Sequence, residues 1–132
     1  MEFIQPNFSY LALLFGALLF SGFVVSRLGQ PYPTSVFTVH KFIGLGLGAW
    51  LVKIVYDRYQ FSALEASQTS LLGFTIFLFT LTVAAGGLLS VQAEGGLKNF
   101  SSKAWRGIEW MHHFLPYLIL FSTLLLLYRL FF

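Results

Sequence analysis

Four long apolar runs, separated by short polar segments, constrain most strongly what this chain can fold into. They cover roughly residues 8–25, 36–55, 70–91 and 108–131, and each has about the 20 residues needed to cross a ~30 Å hydrocarbon core. Backbone polar groups inside a bilayer must be satisfied within the chain, so each run predicts a membrane-spanning helix. Four such helices use most of the 132 residues. The sequence therefore predicts a single transmembrane domain over residues 1–132, with no room for a soluble domain.

The connections between the runs are short, which favours an all-α, polytopic membrane protein built as an up-and-down bundle of four helices. The helices are expected at about residues 8–27, 35–57, 69–91 and 104–131. Only 10% of the residues are charged, compared with about 25% in an ordinary soluble protein, so the lipid bilayer is the expected environment. The net charge of +3 is small and spread along the chain, which disfavours nucleic acid as a partner.

Basic residues near the loops predict the orientation, because positively charged loops are retained in the cytoplasm. More of them flank the first and third loops than flank the opposite side. The residues that flank loops one and three are Arg27, Lys41, Lys98, Lys103 and Arg106. Those on the opposite side are Lys53, Arg58 and Arg129. This bias predicts that loops one and three are cytoplasmic, and the membrane is expected to be a bacterial-type inner (plasma) membrane.

All three histidines of the chain lie near the starts of the second and fourth predicted helices. At 1.5 Å per residue, His40 is about 5–8 Å and His112 about 7–10 Å inside those starts. The two helices run parallel in an up-and-down bundle, so His40, His112 and His113 are expected near one face of the membrane. Haem iron takes one axial ligand on each face of its ring, and neutral imidazole is a common one. The matched depth therefore predicts a haem held by His40 and one histidine of the pair.

The adjacent pair leaves open which histidine is the ligand, since neighbours on a helix point about 100° apart. Pro116 comes four residues after His112. It cannot donate to the His112 carbonyl and crowds it, so a kink is expected at that position. This spacing favours His112 as the iron ligand, with His113 as the alternative. A proline that merely bends a membrane helix is the plainer interpretation.

Small residues gather at the predicted level of the histidines. His40, Gly44 and Gly48 are spaced i, i+4, i+8 and share one stripe of the second helix. Gly22 lies near the end of the first helix, and Gly86 near the end of the third. Glycines beside a ligating histidine would let a flat ring approach the backbone. They are also routine packing devices in membrane helices.

Charge and cysteine content narrow the kind of cofactor. Lys41 and Arg106 could pair with haem propionates, or could belong to the ordinary positive flank of a span. The chain has no cysteine, which excludes haem attached through cysteine and thiolate-held iron–sulfur clusters. A haem in this protein would therefore be bound non-covalently.

The segments "TVHKFIGLG" and "WMHHFLPYL", on alternate helices of a four-span chain, resemble the haem-bearing helices of small b-type membrane cytochromes. That group includes the four-helix cytochrome b subunits of membrane oxidoreductases. The resemblance implies non-covalent haem b with two histidine ligands, and electron transfer with a quinone or a partner subunit. The chain lacks the second histidine pair of two-haem members, so a single haem near one face is expected. An electron carrier or complex subunit fits better than a stand-alone enzyme, and other membrane subunits or further copies of the chain are expected partners.

Three other functions remain open on the sequence. A cofactor-free structural subunit of a larger complex would use its glycines and 16 Phe for helix packing. A (bacterio)chlorophyll protein could hold one ring on His40 and another on His112, because the magnesium typically takes a single axial histidine. A metal enzyme could combine Glu109 with His112 or His113, although adjacent histidines cannot easily bind one ion together. An ion transporter is disfavoured because the span interiors carry almost no ionisable groups.

Overall fold

The computed structural model of the protein describes residues 5–29, 32–61, 63–96 and 101–131, and this part contains helices and turns but no strand. The helices are α1 Gln5–Leu28, α2 Thr34–Phe61, α3 Ala66–Ala93 and α4 Ser102–Phe131. Each contains a stretch long and apolar enough to cross a membrane. The predicted all-α fold class with four spanning helices is therefore confirmed, and it is consistent with an integral membrane protein. Lys98, one of the basic residues used to predict orientation, lies outside the described residues.

The helices extend a few residues beyond the predicted ends. α2 runs on to Phe61, past the predicted end at about residue 57. Lys53 and Asp57 form an exposed ion pair one turn apart in the polar last part of α2. α4 passes through Pro116 as one continuous helix.

The turn after α3 is closed by hydrogen bonds between backbone groups. The Gly96 amide donates to the Val91 carbonyl at 2.9 Å, and the Gly95 amide donates to the Gln92 carbonyl at 2.9 Å. These two bonds form a Schellman motif, which requires a left-handed residue just after the helix. Gly95 supplies it with φ +81°, a conformation that glycine adopts without a Cβ clash. At the start of α4, the Ser101 hydroxyl accepts the amide proton of the third residue of that helix at 3.2 Å.

The chain divides into two compact units, each made of consecutive helices. The first hairpin comprises α1 and α2. Its helices are antiparallel, because residues early in α1 meet residues late in α2. Tyr10 packs edge-on against Trp50 with the ring centroids 6.3 Å apart, and Leu18 lies beside Gly44.

The second hairpin comprises α3 and α4 as far as Leu130. Near the start of α3, the Gln68 side-chain amide donates to the Arg129 carbonyl near the end of α4 at 2.7 Å, so these helices are antiparallel too. The buried residues of α4 recur every three or four positions, as one stripe of a helix does. They are Leu115, Ile119, Ser122, Thr123, Leu126, Leu127 and Leu130.

Candidate functional site

His40 is enclosed within the first hairpin. It lies six residues after Thr34, the first residue of α2, which is about 9 Å along the helix. Its half-buried side chain is directed at α1, where Nδ1 is 2.9 Å from the Ser21 hydroxyl oxygen. Its Cε1 lies against Gly22, so close that a Cβ there would stand 3.1 Å from it. Any residue larger than glycine would press on the imidazole.

The proton between His40 and Ser21 can be assigned from a neighbouring bond. The Ser21 hydroxyl lies 3.0 Å from the Leu18 carbonyl, which can only accept, so the hydroxyl proton is donated there. The hydroxyl oxygen must then accept the Nδ1–H of His40. A neutral imidazole carries one ring proton, so its lone pair is on Nε2.

His112 is enclosed in the same way within the second hairpin. It lies ten residues after Ser102, where α4 begins, which is about 15 Å along the helix. Its Nδ1 donates to the Thr82 carbonyl of α3 at 3.1 Å. Its Cε1 lies against Gly86, where a Cβ would stand only 2.7 Å from it. Because a carbonyl oxygen only accepts, the neutral His112 imidazole also carries its lone pair on Nε2.

His113 is held by its own helix. It is exposed, and its Nδ1 donates to the Glu109 carbonyl one turn earlier at 2.7 Å. The His112 and His113 rings are nearly perpendicular, at 80°, with their centroids 6.4 Å apart. Within the pair, the hydrogen bond to α3 belongs to His112, and the bond to the residue one turn earlier belongs to His113. That His112 rather than His113 binds iron, and that it shares one membrane level with His40, stay predictions.

The glycines predicted beside a haem have different neighbours. Gly22 and Gly86 each lie against a histidine. Gly44 faces α1, where a Cβ would make an ordinary 3.5 Å contact with Leu18. That contact favours the packing interpretation for Gly44. Gly48 is half-buried on the same stripe of α2.

The two basic residues predicted to meet propionates are both exposed. The Lys41 ammonium lies 4.2 Å from the ring centroid of Phe37, one turn earlier on α2. Such cation–π contacts are common where a long side chain lies along an aromatic surface. Arg106 lies in the first turns of α4. An acidic group could reach both side chains, because both are exposed.

Sequence reasoning missed the two oxygens that accept protons from the imidazoles, the Ser21 hydroxyl and the Thr82 carbonyl. A backbone carbonyl has no side-chain signature, so Thr82 could not be singled out by residue type. A usable signal did exist, because a buried imidazole nitrogen must be hydrogen-bonded. An oxygen acceptor on a neighbouring helix was therefore to be expected for each histidine that packs inside a hairpin.

A multi-ligand metal site finds no support in the described residues. Within them, no three His, Cys, Asp or Glu side chains come together to hold a metal ion. Glu109 meets His113 through its backbone carbonyl. The metal-enzyme alternative is thus not supported, whereas a metal ring that takes axial imidazoles needs no such cluster.

The fold and the two enclosed imidazoles define an all-α chain of two helical hairpins, each able to span a membrane and each enclosing one histidine. No protein-family model matches this chain, and no curated protein or solved structure matches it significantly. Its function is therefore inferred from its own residues.

Proposed function

We propose that this chain is a b-type haem protein of the membrane, in which His40 and His112 are the axial ligands of one non-covalently bound haem. One observation carries the proposal. Each imidazole donates its Nδ1–H to an oxygen of the preceding helix, the Ser21 hydroxyl in one hairpin and the Thr82 carbonyl in the other. Metal-bound histidines almost always have this arrangement, with one ring nitrogen on the metal and the other donating to an oxygen. The state of both imidazoles fits axial ligation through Nε2.

Haem b, when bound, supplies reversible one-electron transfer between ferric and ferrous iron. The chain's own residues hold the two imidazoles, exclude water with apolar helices and set the local charge. The oxygens that accept the Nδ1 protons make both imidazoles more basic ligands. More basic ligands favour the more highly charged iron, so Ser21 and the Thr82 carbonyl would lower the reduction potential of a haem held by these histidines. Lys41 and Arg106 are exposed cations that could pair with the propionates.

The exposed face of α4 beside His112 supports a quinone as the redox partner. Trp110, His113, Phe114 and Tyr117 are spaced i, i+3, i+4, i+7, so they share one face, and all are exposed. The Trp110 and Phe114 rings stack with their centroids 5.0 Å apart. Aromatic rings next to an imidazole and a phenol suit a flat ring that carries oxygen substituents.

The quinone assignment has its own test. Tyr117→Phe removes the phenol hydroxyl and keeps the ring, so it should slow reduction of the protein by added quinol while leaving haem content unchanged. Tyr128→Phe, which removes the same hydroxyl from an exposed tyrosine about three turns further along the helix, is the matched control. Unchanged rates in Tyr117→Phe and in His113→Ala would point instead to a partner subunit as the electron donor.

The distribution of basic residues supports loops one and three as cytoplasmic. The membrane is proposed to be a bacterial-type inner membrane, in which the chain would meet further membrane subunits or a second copy of itself. The protein has no cysteine, so single introduced cysteines report orientation without background. Ser35→Cys, at the exposed start of α2, should react with an impermeant reagent only from the cytoplasmic side. Ser67→Cys, at the exposed start of α3, should react only from the other side. The reverse pattern would invert the topology.

A second candidate is favoured by the self-contained nature of each hairpin. The acceptor oxygen and the glycine that surround each histidine come from the same hairpin, so each could serve as a single-histidine site. The magnesium of (bacterio)chlorophyll takes one such ligand. A pigment protein of this kind would carry one ring on His40 and another on His112.

Histidine variants test the haem proposal. The wild type purified from membranes should show a b-type reduced-minus-oxidised spectrum, and both His40→Ala and His112→Ala should lose it. His113→Ala is the matched control, because it removes an imidazole one residue away and should keep the spectrum. Loss in His113→Ala with retention in His112→Ala would reverse the choice within the pair. Chlorophyll absorption maxima would establish the second candidate, and a colourless wild type would leave a structural subunit.

A further inference from the structure

The two hairpins repeat one arrangement on their first helices. The repeated parts are a glycine that faces the histidine and the carbonyl of the residue four positions earlier. In the second hairpin these are Gly86 and Thr82, and the Thr82 carbonyl accepts the histidine Nδ1–H directly at 3.1 Å. In the first they are Gly22 and Leu18. The Ser21 hydroxyl lies 2.9 Å from Nδ1 and 3.0 Å from the Leu18 carbonyl, and this carbonyl also hydrogen-bonds to the His40 ring.

Helix geometry explains why the glycine and the carbonyl occur together. The carbonyl of residue i−4 already accepts the amide proton of residue i, and its second lone pair remains at the helix surface. A side chain at residue i stands close to that lone pair. At Gly86, a Cβ would lie 2.7 Å from Cε1 and 3.3 Å from Nδ1 of His112. Glycine at this position therefore opens the carbonyl to an imidazole from the neighbouring helix.

We infer that the first helix of each hairpin sets the tautomer and the orientation of the imidazole on the second helix before any cofactor binds. Gly22 with the Ser21 hydroxyl positions His40, and Gly86 with the Thr82 carbonyl positions His112. Both imidazoles are held with the proton on Nδ1, so Nε2 carries the lone pair that a metal needs. The use of this device rests on the proposed function, but the device itself exists in the protein without a cofactor.

A plain packing role for the glycines predicts a different result. Small residues let two helices approach each other, but close approach alone does not decide which ring nitrogen carries the proton. The chain provides a matched control in Gly87, because a Cβ there would have no atom of the described residues within 4 Å. Gly86→Ala and Gly87→Ala add the same methyl group to adjacent positions of α3. Only the first should change the proton on His112.

Nitrogen NMR of the full-length chain in lipid nanodiscs tests the inference directly. The protein is labelled with ¹⁵N-histidine and produced in cells that make no haem, and the three histidines are assigned by replacing each in turn. His40 and His112 should each show a proton fixed on Nδ1. In Gly86→Ala the Nδ1–H signal of His112 should be lost while that of His40 persists, which also shows that the first hairpin remains folded. Gly87→Ala should keep both signals.

Serine variants test the first hairpin independently. Ser21→Ala removes one of the two oxygens that the His40 ring meets, the other being the Leu18 carbonyl, and should weaken the His40 Nδ1–H signal alone. Ser21→Thr should restore it, because threonine hydroxyls elsewhere in the chain also donate to a carbonyl of their own helix, as Thr75 and Thr82 do. Ser26→Ala, whose hydroxyl donates to the Gly22 carbonyl, is the control on the same helix.

Two results would overturn the inference: a His112 Nδ1–H that survives in Gly86→Ala, or a wild type in which His40 and His112 exchange freely between tautomers. If Gly86→Ala unfolds the second hairpin, the Ser21 variants decide. The outcomes separate this inference from the haem proposal. A colourless wild type with fixed tautomers would refute haem alone, and a haem-bearing protein with unfixed tautomers in its haem-free form would refute the positioning device alone.

Discussion

Gly86→Ala is the substitution that the structure predicts most sharply. The added Cβ would stand 2.7 Å from Cε1 of His112. Carbon atoms in contact prefer about 3.5–4.0 Å, so the imidazole must retreat by about 0.8 Å or more. The Nδ1 to Thr82 carbonyl distance is already 3.1 Å, and a retreat of this size would break that hydrogen bond.

The size of the effect follows from three opposing contributions. Alanine is favoured over glycine inside a helix by about 1 kcal/mol. Forcing a methyl group into a filled space costs about 1–3 kcal/mol, and leaving the imidazole donor without its acceptor costs about another 1–3 kcal/mol. Gly86→Ala should therefore lower the free energy of unfolding by about 1–5 kcal/mol. Gly87→Ala has only the favourable contribution, so its free energy of unfolding should be unchanged or higher by up to about 1 kcal/mol.

The assay compares the two alanine variants with the wild type by reversible unfolding in mixed micelles, together with haem content per folded chain. Gly86→Ala should be the less stable variant and should bind less haem. A Gly86→Ala protein that is as stable as Gly87→Ala and keeps its full haem content would show that His112 does not lie against this glycine.

The other predictions concern positions with weaker constraints. Gly22→Ala should lower the free energy of unfolding by less than Gly86→Ala, because a Cβ at Gly22 would stand 3.1 Å from His40. It should still be less stable than Gly16→Ala, where the Cβ would meet no described atom within 4 Å. Equal stabilities of the Gly22 and Gly16 variants would contradict the His40 contact. Gly44→Leu should destabilise the haem-free protein by up to about 2 kcal/mol, because crowding against Leu18 costs about 1–3 kcal/mol and a better helix former returns about 1 kcal/mol. A haem-free protein that is no less stable but loses haem would return Gly44 to the cofactor. Thr123→Val should leave the free energy of unfolding unchanged or raise it by about 1 kcal/mol, since this fully buried hydroxyl has no hydrogen-bond partner among the described residues; a loss of stability on urea or detergent unfolding would reveal a partner.

The existence of the four helices was predictable because a bilayer imposes a length and an apolar composition on every span. Their ends were less predictable, because a hydropathy pattern stops where the residues become polar although the helix need not. α2 illustrates this, since its last turns carry the Lys53–Asp57 pair and continue to Phe61. Capping groups such as Ser101 fix ends through local hydrogen bonds that an apolar pattern does not register.

The sequence also pointed to the residues around each imidazole, but to a different role for the glycines. Gly22 and Gly86 were expected to make room for a flat ring, and in the structure each lies against a histidine. The spacing of residues along one helix could not show this, because it depends on how two helices pack. Likewise, the Thr82 carbonyl became recognisable as an acceptor only once its neighbour across the hairpin was known.

The central claim is that His40 and His112 hold a haem, and near-infrared magnetic circular dichroism of the oxidised, purified protein tests it most directly. The charge-transfer band of ferric low-spin haem depends on the pair of axial ligands. The account predicts a bis-imidazole band in the wild type and in His113→Ala, and its loss in His40→Ala and in His112→Ala. A wild type that contains no haem, or a bis-imidazole band that survives in His40→Ala or His112→Ala, would contradict it.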